Sequence, residues 1–301
     1  MAEPARLITA MVTPFDEQGA VAYDRAAELA QALVESGSGG LVVTGSTGES
    51  ATLRHDEKLA LYAAVKKAVN GRAWTVAGTG TYNTAETIEL TKEAEALGVD
   101  AALLVVPYYN KPTQEGLYRH FSAIAESTAL PCILYNVPSR TVTNMEAETV
   151  VRLSEVPNII GVKEASGDLA QIKAIIDGVG RSDFRVWSGN DGDTYAMMKL
   201  GAHGVVAVAS HLAGRQIKEM LDLCVAGDFA AAKSIHERLS PLFEGLFIVS
   251  NPIPVKYALN QIGFPVGGYR LPLSEPDDAS AERIMAAVRA CTVDLPLPAP
   301  R

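Results

Sequence analysis

The chain has 301 residues and only three cysteines, Cys132, Cys224 and Cys291, far apart and odd in number. That excludes a disulfide framework, and no two stand close enough for a Cys-x-x-Cys metal or redox motif. Cations are short as well, with 26 Lys and Arg against 35 Asp and Glu and a formal charge of -9. Such a balance argues against a nucleic-acid backbone or an anionic membrane as partner, although a local pocket can still be positive toward a small acid. The histidines, His55, His120, His203, His211 and His236, form no His-x-His or His-Glu-x-x-His set and read as packing or helix-surface residues. No apolar run approaches the roughly 18 residues of a membrane span. The opening "MAEPARLITAMVTPF" lacks the basic start and long apolar core of a secretion signal. The expectation is a cytoplasmic protein with no nucleic-acid and no membrane partner.

What the chain does have is apolar content, 48% of its residues, enough for a large core. Short apolar runs occur at Leu7 to Val12, Gly40 to Thr44, Trp74 to Gly78, Ala101 to Val106, Cys132 to Tyr135, Ile159 to Val162, Phe184 to Trp187 and Gly204 to Ala207. Between them lie stretches such as "HDEKLALYAAVKKAVNG", where apolar residues recur every three or four positions and a glycine closes the segment. Eight buried strands alternating with helices predict an α/β fold, a (β/α)8 TIM barrel, with an open doubly wound sheet as the competitor. After the eighth run only helical patterns follow. The predicted organisation is therefore a barrel over residues 1–225 and a C-terminal helical extension over 226–301 packed on it, ending in a loose tail, "DLPLPAPR".

In such a barrel the chemistry sits where the loops after the strands converge. Here those loops read "TGSTGES", "GTGTYN", "VPYYNKP", "LYNVPSR", "VKEASGD" and "SGNDG", rich in hydroxyls and phenols and poor in carboxylate pairs. Lys163 follows four apolar residues, Ile159, Ile160, Gly161 and Val162. It is either a surface residue that ends a strand or an amine held in a poorly solvated cavity. In the second case its charged form is disfavoured and the neutral amine can attack a carbonyl. Glu164, next along, points the other way and reads as a structural or supporting partner. Tyr135 ends the adjacent strand, either as a barrel tyrosine or as a proton carrier for a Schiff base on Lys163. "TGSTGES" is either an ordinary turn with capping residues or a nest in which Ser46, Thr47 and backbone amides hold a carboxylate or phosphate. It is no Walker loop, because Glu49 stands where that motif needs lysine. Arg140 either forms a surface ion pair or grips a second carboxylate in two-pronged fashion. The "NDGD" stretch, with Asp191 and Asp193, lacks the remaining calcium ligands and reads as a turn, and Met197 and Met198 read as core of the following helix.

Taken in order, "GSTGES", "YNVPSRT" and "GVKEASGD" resemble the motifs of the pyruvate-dependent class I aldolases of the dihydrodipicolinate synthase and N-acetylneuraminate lyase type. The resemblance covers almost the whole chain. It implies that Lys163 forms the imine, that Tyr135 shuttles protons, and that Ser46 and Tyr109 complete a relay, Tyr109 entering the neighbouring subunit's site. It further implies that Thr47 contacts pyruvate's carboxylate and that Gly189 and Val206 line the pyruvate pocket. An arginine in "VPSR" is similar to the dihydrodipicolinate synthase branch, where it grips the carboxylate of aspartate semialdehyde. The implied partners are pyruvate and a small aldehyde acid, in a homotetramer built as a dimer of dimers, with no cofactor and no metal. Ser46 stands where many members have threonine, but the hydroxyl survives.

The same resemblance implies a lysine-feedback site lined by Ser50, Ala51, His55, Lys58, Tyr82, Glu86 and Tyr108. Feedback-sensitive bacterial members carry histidine and asparagine where Lys58 and Tyr82 stand here. A like charge at Lys58 opposes a cationic ligand, so weak or absent inhibition by L-lysine is the expectation. The alternatives are an aldolase or lyase for a 2-keto-3-deoxy sugar acid or N-acetylneuraminate, and, from a different class, a non-catalytic barrel that binds a small acid.

Overall fold

Eight parallel strands follow one another around a closed barrel in chain order. A computed structural model describes residues 4–298. The elements are β1 (Leu7–Ala10), α1 (Tyr23–Glu35), β2 (Gly40–Val43), α2 (His55–Val69), β3 (Trp74–Gly78), α3 (Thr84–Ala96) and β4 (Ala101–Val105). Next come α4 (Gln114–Glu126), β5 (Cys132–Asn136), α5 (Pro138–Thr141), α6 (Ala147–Ser154), β6 (Ile159–Glu164), α7 (Leu169–Gly178), β7 (Arg185–Ser188), α8 (Thr194–Lys199) and β8 (Gly204–Ala207). Four helices close the chain: α9 (Ser210–Val225), α10 (Phe229–Gly245), α11 (Ile253–Gln261) and α12 (Asp278–Arg289).

The strands are buried along almost their whole length, as expected of a parallel sheet covered on both faces. Some helix starts carry a side chain that satisfies free amides. Asn83 accepts from Ala85 N and Glu86 N ahead of α3, and Asp168 accepts from Ala170 N and Gln171 N ahead of α7. Gly161 is required inside β6 because a Cβ there would press on the Trp187 ring at 2.6 Å and on the Arg185 carbonyl.

The chain forms two compact units, one running to Thr75 and resuming at Ala207, the other Val76–Val206. Within the first, α1, with Leu29 and Leu33 buried, packs on α2, with Leu61 and Val65 buried, and α9 and α12 both pack on α10. His211 on α9 is held as a neutral ring, its Nε2 accepting from Val12 N at 3.2 Å and its Nδ1 donating to Val208 O at 2.8 Å. Burial pulls its pKa down to about 4. Within the second, α4 and α7 pack on α6, and Phe121 and Ile124 of α4 and Val150 of α6 are buried.

Two expectations need correcting. The "YNVPSR" loop contains a helix, α5, which a four-residue span is too short to announce by periodicity. The tail is not loose at its start. Asp294 accepts from Ser36 Oγ at 2.6 Å and from the amides of Arg215 and Gln216, and Leu295 is buried. These partners lie far away in sequence, so composition alone misses them; residues 299–301 of the same expectation lie outside the described residues. Among the described residues no helix is long and apolar enough to cross a membrane.

Candidate active site

Lys163 and Tyr135 are direct neighbours in the β5–β6 ladder, and the next pair is Asn136 and Glu164. Alternation along a strand puts the two pairs on opposite faces. On one face the Lys163 ammonium lies 4.2 Å from the centre of the Tyr135 ring, with both side chains buried. On the other, the buried Glu164 carboxylate accepts from Asn136 Nδ2 at 3.0 and 3.1 Å and from Ser166 N at 2.8 Å. Asn136 is itself fixed, its Oδ1 accepting from Met145 N and its Nδ2 donating to Asn144 Oδ1. Burial raises the Glu164 pKa and these donors hold it back. The network ties the ends of β5 and β6 together, which sets the lysine–tyrosine register from behind.

Burial pulls the Lys163 pKa from the ordinary 10.5 down to about 8, opposed by the negative charge of Asp191 and assisted by the positive charge of Arg140. At pH 7.5 roughly a quarter of such amines are neutral, against about one in a thousand for a free lysine. Asp191, which the sequence offers only as part of a turn, is buried in the short 3-10 helix Asp191–Asp193 after β7. Gly189 is held against β6 by its amide, which donates to Glu164 O at 2.8 Å. A Cβ at Gly189 would stand 2.6 Å from Ala165 Cβ and 3.2 Å from Lys163 Cε, so glycine keeps space open beside the amine. Arg140 sits exposed on α5. Val206 is buried in β8.

The loop after β2 is a tight turn. Gly48 N and Ser50 N both donate to Gly45 O, and Thr44 and Glu49 adopt left-handed φ of 57° and 55°. Such angles in non-glycine residues persist only where the surroundings impose them. Thr44 Oγ1 bonds the Tyr62 hydroxyl at 2.8 Å. Ser46 is exposed, whereas Thr47 is buried and its Oγ1 accepts from Asn251 Nδ2 at 2.9 Å. With its oxygen so engaged, the Thr47 hydroxyl keeps its proton to donate, the polarity an anion requires.

The dihydrodipicolinate synthetase family model matches residues 3–291. The chain belongs to that family. A 4-hydroxy-tetrahydrodipicolinate synthase of Dehalococcoides mccartyi is 59% identical over 297 residues, which is 99% of this chain and 100% of the relative. A synthase of the same name from Moorella thermoacetica is 54% identical over 284 residues, 94% of this chain and 97% of the relative. The crystal structure of DHDPS from Cyanidioschyzon merolae with lysine bound superposes with a TM-score of 0.93 at 46% identity, over 95% of this chain and 97% of that one.

Among the family residues expected from sequence, Lys163, Tyr135, Arg140 and Gly189 fall in the Val76–Val206 unit and Ser46 and Thr47 in the other. Tyr109 is 93% exposed, at a left-handed φ of 73°. In the feedback set, Tyr82 and Tyr108 meet edge to face at 5.1 Å, and burial, with the Tyr82 phenol and the charge of Glu86 adding to it, raises the Tyr108 pKa. Ser50 and Ala51 lie in the 3-10 helix Ser50–Thr52, and His55 and Lys58 in the first turn of α2. Sequence reasoning misses the parts taken by Asp191, Asn136 and Asn251. For Asn136 a signal exists, since it alternates with Tyr135 as Glu164 does with Lys163; for Asn251, more than 200 residues from its partner, there is none.

Proposed function

We infer that this chain condenses pyruvate with L-aspartate-4-semialdehyde through an imine on Lys163, releasing 4-hydroxy-tetrahydrodipicolinate on the way to diaminopimelate and lysine. The observation that carries the reading is the buried Lys163 amine, its charge disfavoured, against the Tyr135 ring and within the field of Arg140. The neutral amine adds to the pyruvate carbonyl, and loss of water gives an iminium that draws electrons from the methyl group. Losing a methyl proton yields an enamine, which attacks the aldehyde carbon. The substrate's own amine then displaces Lys163 and closes the ring, so that the two substrates give one product and one water.

Tyr135, with Ser46 and with Tyr109 supplied by a neighbouring subunit of a homotetramer, relays the protons. The exposure of Tyr109 supports that assignment. Thr47 donates to pyruvate's carboxylate, while Gly189 and Val206 shape the pocket around the methyl ketone. Arg140 receives the second carboxylate.

Borohydride reduction in the presence of pyruvate is expected to leave a stable adduct on Lys163, located by peptide mass spectrometry. Aspartate semialdehyde added before the borohydride should consume the enamine and lower the yield of adduct, whereas sugar-derived aldehydes should not. Protein that gains no adduct would be a binder rather than an enzyme. Inhibition by L-lysine is expected to be weak or absent because of the cation at Lys58, and a steady-state titration that saturates at low lysine would contradict this.

A further inference from the structure

The turn that carries Thr47 is gripped by the C-terminal segment through a buried ion pair. Glu49 and Lys256 are both fully buried, with Lys256 Nζ donating to Glu49 Oε1 at 2.7 Å. Lys256 also donates to Thr13 O at 3.1 Å, and its charge lies 4.2 Å from the Phe15 ring centre and 5.2 Å from that of Tyr269. The other Glu49 oxygen accepts from Arg270 N at 3.2 Å. Arg270 in turn donates to Thr52 O at 3.0 Å and clasps Glu57 with two bonds of 2.8 and 2.7 Å. The same Thr13 also holds the turn directly, its Oγ1 donating to Gly48 O at 2.6 Å.

A buried ion pair is a poor way to gain stability, since apolar residues of the same volume do as well or better. Its directional bonds do something apolar packing does not: they fix where one residue sits. Glu49 is the residue fixed here, two positions from Thr47, at one of the two left-handed angles that shape the turn. We propose that Glu49 and Lys256 are positioning residues that set pyruvate affinity, holding the turn so that the Thr47 hydroxyl meets the carboxylate. This rests on the reading of Thr47 given above.

The test is pyruvate half-saturation in borohydride trapping, together with KM for both substrates. Lys256→Met strands a buried carboxylate and can prevent folding, so the paired variant Glu49→Gln with Lys256→Met decides. It removes both charges while the side-chain amide introduced at position 49 keeps a carbonyl oxygen to accept from the Arg270 backbone N–H. The expected result is a cooperative thermal transition and pyruvate half-saturation raised about tenfold, with KM for the second substrate changed less than about twofold. A merely structural role would lower the active fraction, hence kcat, and leave both KM values alone. A folded paired variant with the parent's pyruvate half-saturation overturns the proposal. Thr47→Val is read separately. If it leaves pyruvate half-saturation unchanged while the paired variant raises it, the reading of Thr47 fails and with it the proposed route through the Thr47 hydroxyl, leaving only an effect of the Glu49–Lys256 pair on pyruvate affinity. Parent protein that traps no pyruvate overturns both.

Discussion

Replacing Lys163 with methionine is expected to abolish turnover and, at neutral pH, to make the protein more stable. The first effect follows from loss of the only group assigned to form the imine, a fall of more than about 10³-fold or roughly 4 kcal/mol of barrier. The second follows from the same burial that activates the amine. Its pKa is about 8 in the fold. In the unfolded chain it returns to about 10.4, so between these values the unfolded state binds more protons and stability rises with pH. Below pH 8 the buried ammonium costs the fold on the order of 3 kcal/mol relative to an uncharged side chain. Methionine removes that cost at similar volume. Denaturant melts at pH 7 should show the gain, and melts at increasing pH should show it shrinking toward pH 10. A variant that stays active, or that loses stability at pH 7, would show that the amine is neither the nucleophile nor desolvated.

Arg140→Ala is expected to separate the two substrates. A planar guanidinium gripping a carboxylate through two bonds contributes roughly 3–4 kcal/mol, so kcat/KM for aspartate semialdehyde should fall about 10²- to 10³-fold. Pyruvate trapping on Lys163 should persist with little change in half-saturation. It should also shift with pH in a defined direction. The positive charge of Arg140 helps to depress the lysine pKa. Without it the trapping midpoint moves upward. Lysine at the same position should restore the midpoint, since it replaces the charge, but not the rate, since it lacks the fork. Equal loss of trapping and of condensation would place Arg140 in the folding of the site instead of at the second carboxylate.

The strands are readable from sequence because each is a continuous apolar run covered on both faces, and their ends come within about two residues. Helix α8 is short, Thr194–Lys199, because the preceding residues wind into the 3-10 turn Asp191–Asp193 and Gly201 closes the far end at φ 101°. Lys163 and Tyr135 are readable for a related reason: a charge and a phenol at the ends of apolar runs have few other uses. Their direct pairing in register is not, since nothing in either strand states which residue of the other it faces. Glu49 illustrates the opposite case. In the sequence it only rules out a Walker loop, while in the fold it is a fully buried anion bound to Lys256, 207 positions away.

The amino-acid sequence by itself determined the alternation of strands and helices, the order of the three motifs and hence the family, because these depend on local periodicity and on residue types at fixed short spacing. Tertiary structure decided which charges act on which. Burial and the opposed fields of Asp191 and Arg140 make Lys163 an amine near neutrality, and the C-terminal segment reaches back to fix the Thr47 turn. Desolvation and Coulomb energies depend on distances through space, and chain position carries no record of them.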